Sequence, residues 1–342
     1  MTELVRVLIV DDSAYVRKVI RQTLLRSPFI EVVGIARDGR EALEMTAELK
    51  PDVITCDLIM PELDGVGFIR EQMARTPVPI VVVSVASESG ELVLAALDAG
   101  AVDFVQKPTA LATDRLLEIG DELMEKVKAA AKARPTVLKP APLAAAHRAA
   151  GANAFDIVVI GISTGGPQAL KMLIPKLPAE LAVPVAIVLH MPVGYTELYA
   201  RKLNDQSALT VLEAQGGEVL TPGQVYIAPA GRHLTLRRNP AGQVITYLDV
   251  RPLDTPYRPS VDSLFHSAAD VYGSRVLGIV MTGMGSDGRD GAAWIKAKGG
   301  MVLTESEASC VVYGMPRSIV EAGLSDGEVR LEEMADAVLE RV

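Results

Sequence analysis

The sequence predicts a two-domain α/β protein, and three observations lead to this prediction. The chain has 342 residues, about half of them apolar, which is enough for about two domains with separate cores. Short runs rich in Val and Ile alternate with helical patterns in both halves, as in parallel sheets joined by helices. Residues 125–153 are rich in Ala, with three prolines and six Lys or Arg against one Glu. The predicted organisation is a first domain over 1–124, a linker over 125–153 and a second domain over 154–342.

Composition and charge narrow the class of protein. The net charge of −9 argues against a basic face for nucleic acid. No apolar run approaches the ~18 residues of a membrane helix, and "MTELVRVLIVDDS" does not resemble a signal peptide. Cys56 and Cys310 form no metal or redox motif. We therefore expect a cytoplasmic protein that neither binds nucleic acid nor inserts into a membrane.

The first domain shows the βαβ pattern most clearly. A helical segment follows its first apolar run, with Val16, Ile20 and Leu24 four residues apart and Ser13 in the N-cap position. The start of the linker is compatible with an extension of this domain's last helix. The predicted buried parallel strands are 4–10, 53–57 and 80–84.

Polar residues follow the strands of this domain. Asp11 and Asp12 come after the first strand and Asp57 after "DVITC". Carboxyl ends of parallel strands form the ligand crevice, and clustered carboxylates require a hard cation such as Mg²⁺. Ser84 and Lys107 follow later apolar runs and supply a hydroxyl and an ammonium for phosphoryl oxygens. Asp57 considered alone is typical of an ordinary loop aspartate. The five groups together, three carboxylates, a hydroxyl and an ammonium, favour a site for phosphate and a metal ion.

The motifs "VLIVDDSAYVRK", "DVITCDLIMPELDGVGFIREQM", "VVVSVAS" and "DAGAVDFVQKP" occur in order over 1–124. They resemble a two-component receiver domain. The resemblance implies a flavodoxin-like fold, with a parallel five-stranded sheet and helices on both faces. It also implies that Asp57 accepts a phosphoryl group from a histidine kinase.

The same resemblance assigns the neighbouring residues. Asp57 and the two aspartates after the first strand would bind Mg²⁺ together with the backbone carbonyl of Ile59. Ser84 and Phe104 would be the switch pair, and Lys107 the phosphoryl contact, with a cis bond to Pro108. Receivers often have Tyr at the place of Phe104, so here only ring packing can report the switch.

The second domain is predicted to be doubly wound and mostly parallel. Residues 210–250 differ, because short alternating runs and turn signals there predict antiparallel hairpins inserted in or beside the sheet. The predicted apolar strands are 156–161, 184–189 and 276–281.

Ser163, in "VVIGISTGGPQAL", has three interpretations. It can cap a helix, line a phosphate cradle or act as a nucleophile. The cradle is disfavoured because "GISTGG" matches neither G-x-G-x-x-G nor the P-loop pattern. "GISTG" fits G-x-S-x-G, which places a serine on a strand-to-helix turn.

A nucleophilic serine requires a base. Of the four histidines, His147 lies in the linker, His233 in the hairpin region and His266 in a helical stretch. His190 ends the apolar strand "VPVAIVLH" and therefore shares the sheet edge with Ser163. His190 is the predicted base.

The base requires an orienting carboxylate. Asp287 lies between glycines after the strand "RVLGIVM", and Asp290 and Asp262 compete with it. Its structural alternative is an ordinary Asp-Gly turn. The chain order Ser, His, Asp differs from the Ser, acid, His order of α/β-hydrolases, so that fold is not expected.

The segments "VVIGISTGGPQAL", "VAIVLHMPVGYTELYARKL", "YIAPAGRHL", "RPSVDSLFHSAA", "GIVMTGMGSDGRDG" and "EASCVVYGMPRS" resemble the catalytic domain of chemotaxis protein-glutamate methylesterases. The resemblance implies a triad of Ser163, His190 and Asp287. It implies the N–H of Met284 as oxyanion contact, with Thr164 and Gly165 lining the site. Ile162 and Pro167 depart from the commonest family residues.

The family implies hydrolysis of glutamyl methyl esters on methyl-accepting chemoreceptors, with release of methanol, and deamidation of receptor glutamines. It implies no cofactor in the second domain and inhibition by the unphosphorylated receiver. Two alternatives remain open: a receiver joined to a non-catalytic docking module, and a small-molecule serine esterase. The basic linker is also a weaker candidate for binding a receptor tail.

Overall fold

A computed structural model describes residues 4–85, 90–107, 119–133 and 154–342. The chain divides into two compact units, Met1–Lys139 and Pro140–Val342. No helix among these described residues is long and apolar enough to cross a membrane.

The first unit contains a five-stranded sheet in the order β2-β1-β3-β4-β5, with every neighbouring pair parallel. The predicted parallel five-stranded sheet is thus confirmed. The strands are β1 (Val5–Val10), β2 (Ile30–Ala36), β3 (Val53–Cys56), β4 (Ile80–Val85) and β5 (Asp103–Lys107). The helices are α1 (Ala14–Leu24), α2 (Gly39–Leu49), α3 (Gly65–Arg75), α4 (Gly90–Ala99) and α5 (Gly120–Ala130).

Two local features of the first unit follow from its sequence. The hydroxyl of Ser13 accepts a hydrogen bond from the N–H of Val16, so the predicted N-cap of α1 is confirmed. Helix α5 continues past residue 124, and its Val127 and Ala130 are buried. The beginning of the expected linker is therefore part of the first unit's core.

The second unit contains a seven-stranded sheet in the order β14-β13-β12-β6-β7-β9-β8. All of its neighbouring strands are parallel. Its strands are β6 (Ile157–Ile162), β7 (Val185–Leu189), β8 (Thr210–Glu213), β9 (Gln224–Ile227), β12 (Val276–Val280), β13 (Met301–Glu305) and β14 (Gly327–Val329). The helices are α6 (Gly166–Leu173), α7 (Thr196–Asn204), α8 (Val261–Tyr272), α9 (Arg289–Ala297), α10 (Met315–Glu321) and α11 (Met334–Leu339).

The prediction for residues 210–250 was only partly right. Strands β10 (His233–Arg238) and β11 (Val244–Asp249) form the expected antiparallel hairpin, as a separate two-stranded sheet. Strands β8 and β9 instead pair in parallel and extend the main sheet. Turn signals between short strands do not reveal which edge a strand joins, and here packing against β7 decides it.

The strand order places the candidate groups. Strand β6 lies between β12 and β7 in the sheet. All three run in the same direction, so their carboxyl ends meet at one edge. Ser163 and His190 follow β6 and β7, and the loop that carries Asp287 follows β12.

Candidate active site and phosphorylation site

The first unit places its acidic residues and a lysine in one buried pocket. The Lys107 ammonium lies 2.6 Å from Asp11 Oδ2 and 2.7 Å from Asp57 Oδ2. Burial raises the pKa of Asp11 despite the attraction of Lys107. Burial alone lowers the pKa of Lys107, but the two carboxylates outweigh it and raise that pKa. The pocket therefore holds more negative charge than one ammonium neutralises.

This excess of carboxylates fits a divalent cation. One carboxylate oxygen from each of Asp11, Asp12 and Asp57 lies within 4.8 Å of the others. Oxygen ligands at such spacing suit Mg²⁺, which needs only a few carboxylates and keeps positions for phosphate. Asp57 accepts the N–H of Leu58 through Oδ1, while its Oδ2 faces Lys107. Ile59, whose backbone carbonyl is a further ligand according to the resemblance, lies two residues after Asp57.

The expected switch residues lie on two neighbouring strands, β4 and β5. Ser84 is buried on β4, and its neighbour across the sheet is Gln106 on β5. Phe104 is buried, and the Lys126 ammonium of α5 binds its carbonyl oxygen at 2.7 Å. No sequence pattern indicates this contact of Lys126. The expected cis bond to Pro108 lies outside the described residues.

In the second unit, Ser163 lies in the turn between β6 and α6. Its N–H donates to the carbonyl of Thr282 at 3.0 Å, and its carbonyl accepts the N–H of Gly166 at 2.7 Å. Gly165 has φ +79°, and a Cβ there would come within 2.7 Å of Val311. Glycine thus lets the turn close tightly and present the partly exposed serine at the start of α6.

The loop after β12 lies directly against Ser163. A Cβ at Gly283 would lie 2.7 Å from the Cβ of Ser163, so only glycine permits this approach. Thr282 reinforces the contact, because its hydroxyl donates to the carbonyl of Thr164 at 2.9 Å. The backbone of Met284 follows immediately. The structure therefore brings the expected oxyanion segment to the serine turn.

His190 and Asp287 meet, as the sequence predicts. His190 Nε2 lies 2.9 Å from Asp287 Oδ2. The pair identifies Nε2 as the protonated nitrogen, which leaves Nδ1 as the acceptor. Nδ1 is buried and has no hydrogen-bond partner among the described residues. The hydrogen bond between Ser163 and His190 is thus not formed here, as is common for catalytic contacts without substrate.

Asp287 is held at the N-terminus of α8. Its carboxylate accepts the N–H of Val261 at 2.8 Å, the N–H of Asp262 at 3.1 Å and the hydroxyl of Ser260 at 3.0 Å. Burial alone raises the pKa of Asp287. Hydrogen bonds from His190 and the helix N-terminus outweigh burial and hold the pKa below its ordinary value. Asp287 therefore stays ionised beside the imidazole.

The competing aspartates occupy other positions. Asp262 accepts the N–H of Gly291 at 2.7 Å and so caps α9 rather than contacting His190. Burial and the nearby charge of Asp287 raise the pKa of Asp262 to about 7. Asp290 lies exposed in the first turn of α9.

The other histidines have structural contacts. His233 is fully buried, and its Nδ1 accepts the N–H of Ser260 at 3.2 Å. It therefore supports the serine that binds Asp287. His266 stacks on Trp294 with ring centroids 5.4 Å apart. His147 lies outside the described residues.

Two residues near the site escaped sequence analysis. Tyr257 stacks on His190, and Glu305 accepts the N–H of Thr282 at 3.0 Å and the hydroxyl of Ser309 at 3.0 Å. Glu305 is 0% exposed, and burial raises its pKa to about 7. Both lie just before segments that carry the family resemblance, and no local pattern indicates their contacts.

An acidic phosphate-type pocket in one unit and a Ser, His, Asp cluster in the other define a response regulator joined to a serine hydrolase. The chain belongs to the CheB methylesterase family, whose model matches residues 158–338. The model of the response regulator receiver domain matches residues 7–119. The expected family and fold class are thus confirmed.

Relatives with similar sequences match this chain over nearly its whole length. The protein-glutamate methylesterase/protein-glutamine glutaminase 5 of Myxococcus xanthus is 54% identical over 96% of this chain and 96% of its own length. The Symbiobacterium thermophilum protein-glutamate methylesterase/protein-glutamine glutaminase is 43% identical over 99% and 97%. The crystal structure of the Thermotoga maritima CheB methylesterase catalytic domain covers 55% of this chain and 99% of its own, with 42% identity and a TM-score of 0.54.

Proposed function

We propose that this protein is a phosphorylation-activated esterase that hydrolyses glutamyl methyl esters on methyl-accepting chemoreceptors, for adaptation in chemotaxis. The observation that carries the proposal is the contact of His190 Nε2 with Asp287 at the strand edge that also bears Ser163. A docking module has no need for a buried imidazole oriented by a carboxylate that stays ionised. The names of the full-length relatives support the substrate class.

In the proposed reaction, the Oγ of Ser163 attacks the ester carbonyl carbon and its proton passes to Nδ1 of His190. Asp287 keeps the proton on Nε2 and stabilises the imidazolium. When the tetrahedral intermediate collapses, the imidazolium gives its proton to the departing methoxy oxygen, and methanol leaves. Water then attacks the acyl-enzyme by the same route and frees Ser163 and the glutamate carboxylate.

The negative oxygen of the intermediate needs donors that are already in place. We assign this role to the backbone N–H of Met284, with Thr164 and Gly165 lining the site. The close approach of Gly283 to Ser163 supports this assignment. The same acyl chemistry on a glutamine amide releases ammonia, so we propose deamidation as a second reaction of this site.

The receiver provides control in this proposal. A chemotaxis histidine kinase phosphorylates Asp57, and Lys107 binds the phosphoryl oxygens. Asp11, Asp12 and Asp57, with the carbonyl of Ile59, would hold Mg²⁺, which neutralises charge on the phosphoryl group when bound. We propose Ser84 and Phe104 as the switch pair. The Lys126 contact to Phe104 offers one route from that residue to α5.

We further propose a cytoplasmic location, since both kinase and receptor side chains must be reached there. The catalytic domain would need no cofactor. We place the functional boundary of the receiver beyond 124, because α5 packs with the first unit and ends at Ala130. The tether would then lie within the remainder of 125–153, before a catalytic domain over 154–342.

The test is methanol release from methylated chemoreceptor membranes, with and without acetyl phosphate and Mg²⁺. Ser163→Ala protein runs in parallel. We expect release that rises with the phosphodonor and is lost in the variant. Methanol release that is the same with and without the phosphodonor would contradict control by phosphorylation of Asp57. Methanol release by the Ser163→Ala protein would contradict the role of Ser163 as nucleophile. No release from the phosphorylated protein would favour the docking module.

A further inference from the structure

Tyr257 has two contacts that the proposed reaction does not yet use. Its ring lies parallel to the imidazole of His190, with centroids 4.5 Å apart and an interplanar angle of 11°. Its hydroxyl reaches the loop after β12, because a Cβ at Gly285 would come within 2.9 Å of Tyr257 Oη. One side chain therefore spans the base and the segment beside Met284.

The residues that follow Tyr257 are held in place by hydrogen bonds. The carbonyl of Arg258 accepts the N–H of Gly231 at 3.0 Å. The N–H of Ser260 donates to buried His233, and its hydroxyl binds Asp287 at 3.0 Å. The segment that presents the ring is thus tied to the same carboxylate that orients the imidazole.

The stacked ring acts on the imidazole in two ways. The hydrogen bond from Nε2 to Asp287 fixes one edge of the imidazole within the plane of its ring. The stacked face of Tyr257 restricts rotation of the imidazole out of that plane. Nδ1 is therefore kept in one orientation for the serine proton. Once it accepts that proton, the imidazole is a cation, and an aromatic face within about 6 Å attracts a cation.

We propose that Tyr257 is a positioning residue of the hydrolysis, acting through its ring on His190 and controlling turnover rather than substrate binding. This inference rests on the proposed esterase function. Asp287 is the charged group that contacts His190 directly, while Asp262 and His233 pack behind it against Asp287 and Ser260. A substitution of Tyr257 alone leaves the identity of all these residues unchanged.

The experiment compares the full chain with three variants, in the presence of acetyl phosphate and Mg²⁺. Tyr257→Phe keeps the ring, and Tyr257→Leu removes it. Tyr247→Leu is the matched control, because Tyr247 is another half-buried ring, packed beneath Arg237 on the β10–β11 hairpin. Two rates are measured: labelling of Ser163 by a fluorophosphonate probe, and methanol release from methylated receptor membranes.

We expect Tyr257→Leu to lower both the labelling rate and kcat about tenfold, with KM changed less than about twofold. Tyr257→Phe and Tyr247→Leu should stay within about twofold of the wild type. The proposal is overturned if Tyr257→Leu labels at the wild-type rate, or if it raises KM with kcat unchanged. Equal loss in Tyr257→Phe would also overturn it, since the hydroxyl would then carry the effect.

Two further arms keep the outcome interpretable. Unfolding is followed by the fluorescence of Trp294, the single tryptophan. If Tyr257→Leu does not fold, Tyr257→Met replaces it as a non-aromatic apolar side chain, with the same expected loss. Wild-type protein that labels but releases no methanol contradicts the esterase substrate while leaving the Tyr257 comparison valid. Wild-type protein that does not label overturns the triad and this inference together.

Discussion

The buried carboxyl of Glu305 makes the stability of the second unit depend on pH. Burial raises its pKa from 4.5 to about 7. The folded state therefore binds the proton more tightly than the unfolded state. The stabilising contribution of protonated Glu305 to the free energy of unfolding is complete below about pH 4.5 and is lost as the pH rises through about 7. At 1.36 kcal/mol for each pKa unit, the full loss is about 3 kcal/mol, of which about 2 kcal/mol falls between about pH 5.5 and about pH 8.

The perturbation is Glu305→Gln, which is neutral at every pH and of nearly the same size. Its amide oxygen can accept the N–H of Thr282, and its NH₂ can donate to the hydroxyl of Ser309. The glutamine therefore mimics the protonated carboxyl. We expect the variant to gain stability over the wild type by about 2 kcal/mol between about pH 5.5 and about pH 8.

The assay is urea unfolding of the full chain at a series of pH values, followed by the fluorescence of Trp294. This residue lies on α9, so the signal reports the second unit. Asp262, with a pKa of about 7, and His233, with a lowered pKa, also titrate, but both remain in the two proteins and cancel in the difference.

Glu307→Gln is the matched control. Glu307 is an exposed glutamate two positions away that pairs with Arg317 at 3.5 Å. The free energy of unfolding of Glu307→Gln should depend on pH in the same way as that of the wild type. If Glu305→Gln loses stability with rising pH as steeply as the wild type, Glu305 is not the titrating group and the reasoning is refuted.

Four further predictions concern the two sites. Asp287→Asn should lower kcat by about 10⁴, because the imidazole would be held in the wrong tautomer; methanol release measures this, and a loss under tenfold would contradict it. Ser260→Ala should lower the free energy of unfolding of the second unit by about 1 kcal/mol in urea titrations, since it removes the N-cap of α8; an unchanged midpoint would count against the cap. Asp12→Ala should abolish Mg²⁺-dependent phosphorylation of Asp57 by acetyl phosphate on phosphate-affinity gels, whereas full labelling would exclude it as a ligand. Deletion of residues 1–140 should raise basal methanol release about 5- to 150-fold, and an equal or lower rate would contradict inhibition by the receiver.

Much of the fold and of both sites could be predicted from local patterns. Short Val- and Ile-rich runs indicated parallel strands, and in such sheets the carboxyl ends share an edge. That rule alone brought Ser163, His190 and Asp287 together, although His190 and Asp287 are 97 residues apart. It likewise gathered Asp11 and Asp57 around Lys107.

Other features depended on contacts that no local pattern contains. Strand β9 pairs in parallel with β7, and β8 pairs in parallel with β9, which their turn signals could not indicate. The continuation of α5 beyond residue 124 depended on burial of Val127 against the first unit. The sequence was compatible with this continuation, but composition alone did not indicate where the helix ends and the linker begins.

The sequence by itself determined which chemical groups this protein has and at which edges of its sheets they lie. Only the tertiary structure decided how those groups are oriented. It selected Nε2 of His190 for Asp287, placed Asp287 on the N-terminus of α8, and stacked Tyr257 on the imidazole. The physical reason is that strand periodicity specifies backbone direction, whereas side-chain orientation depends on packing between distant segments.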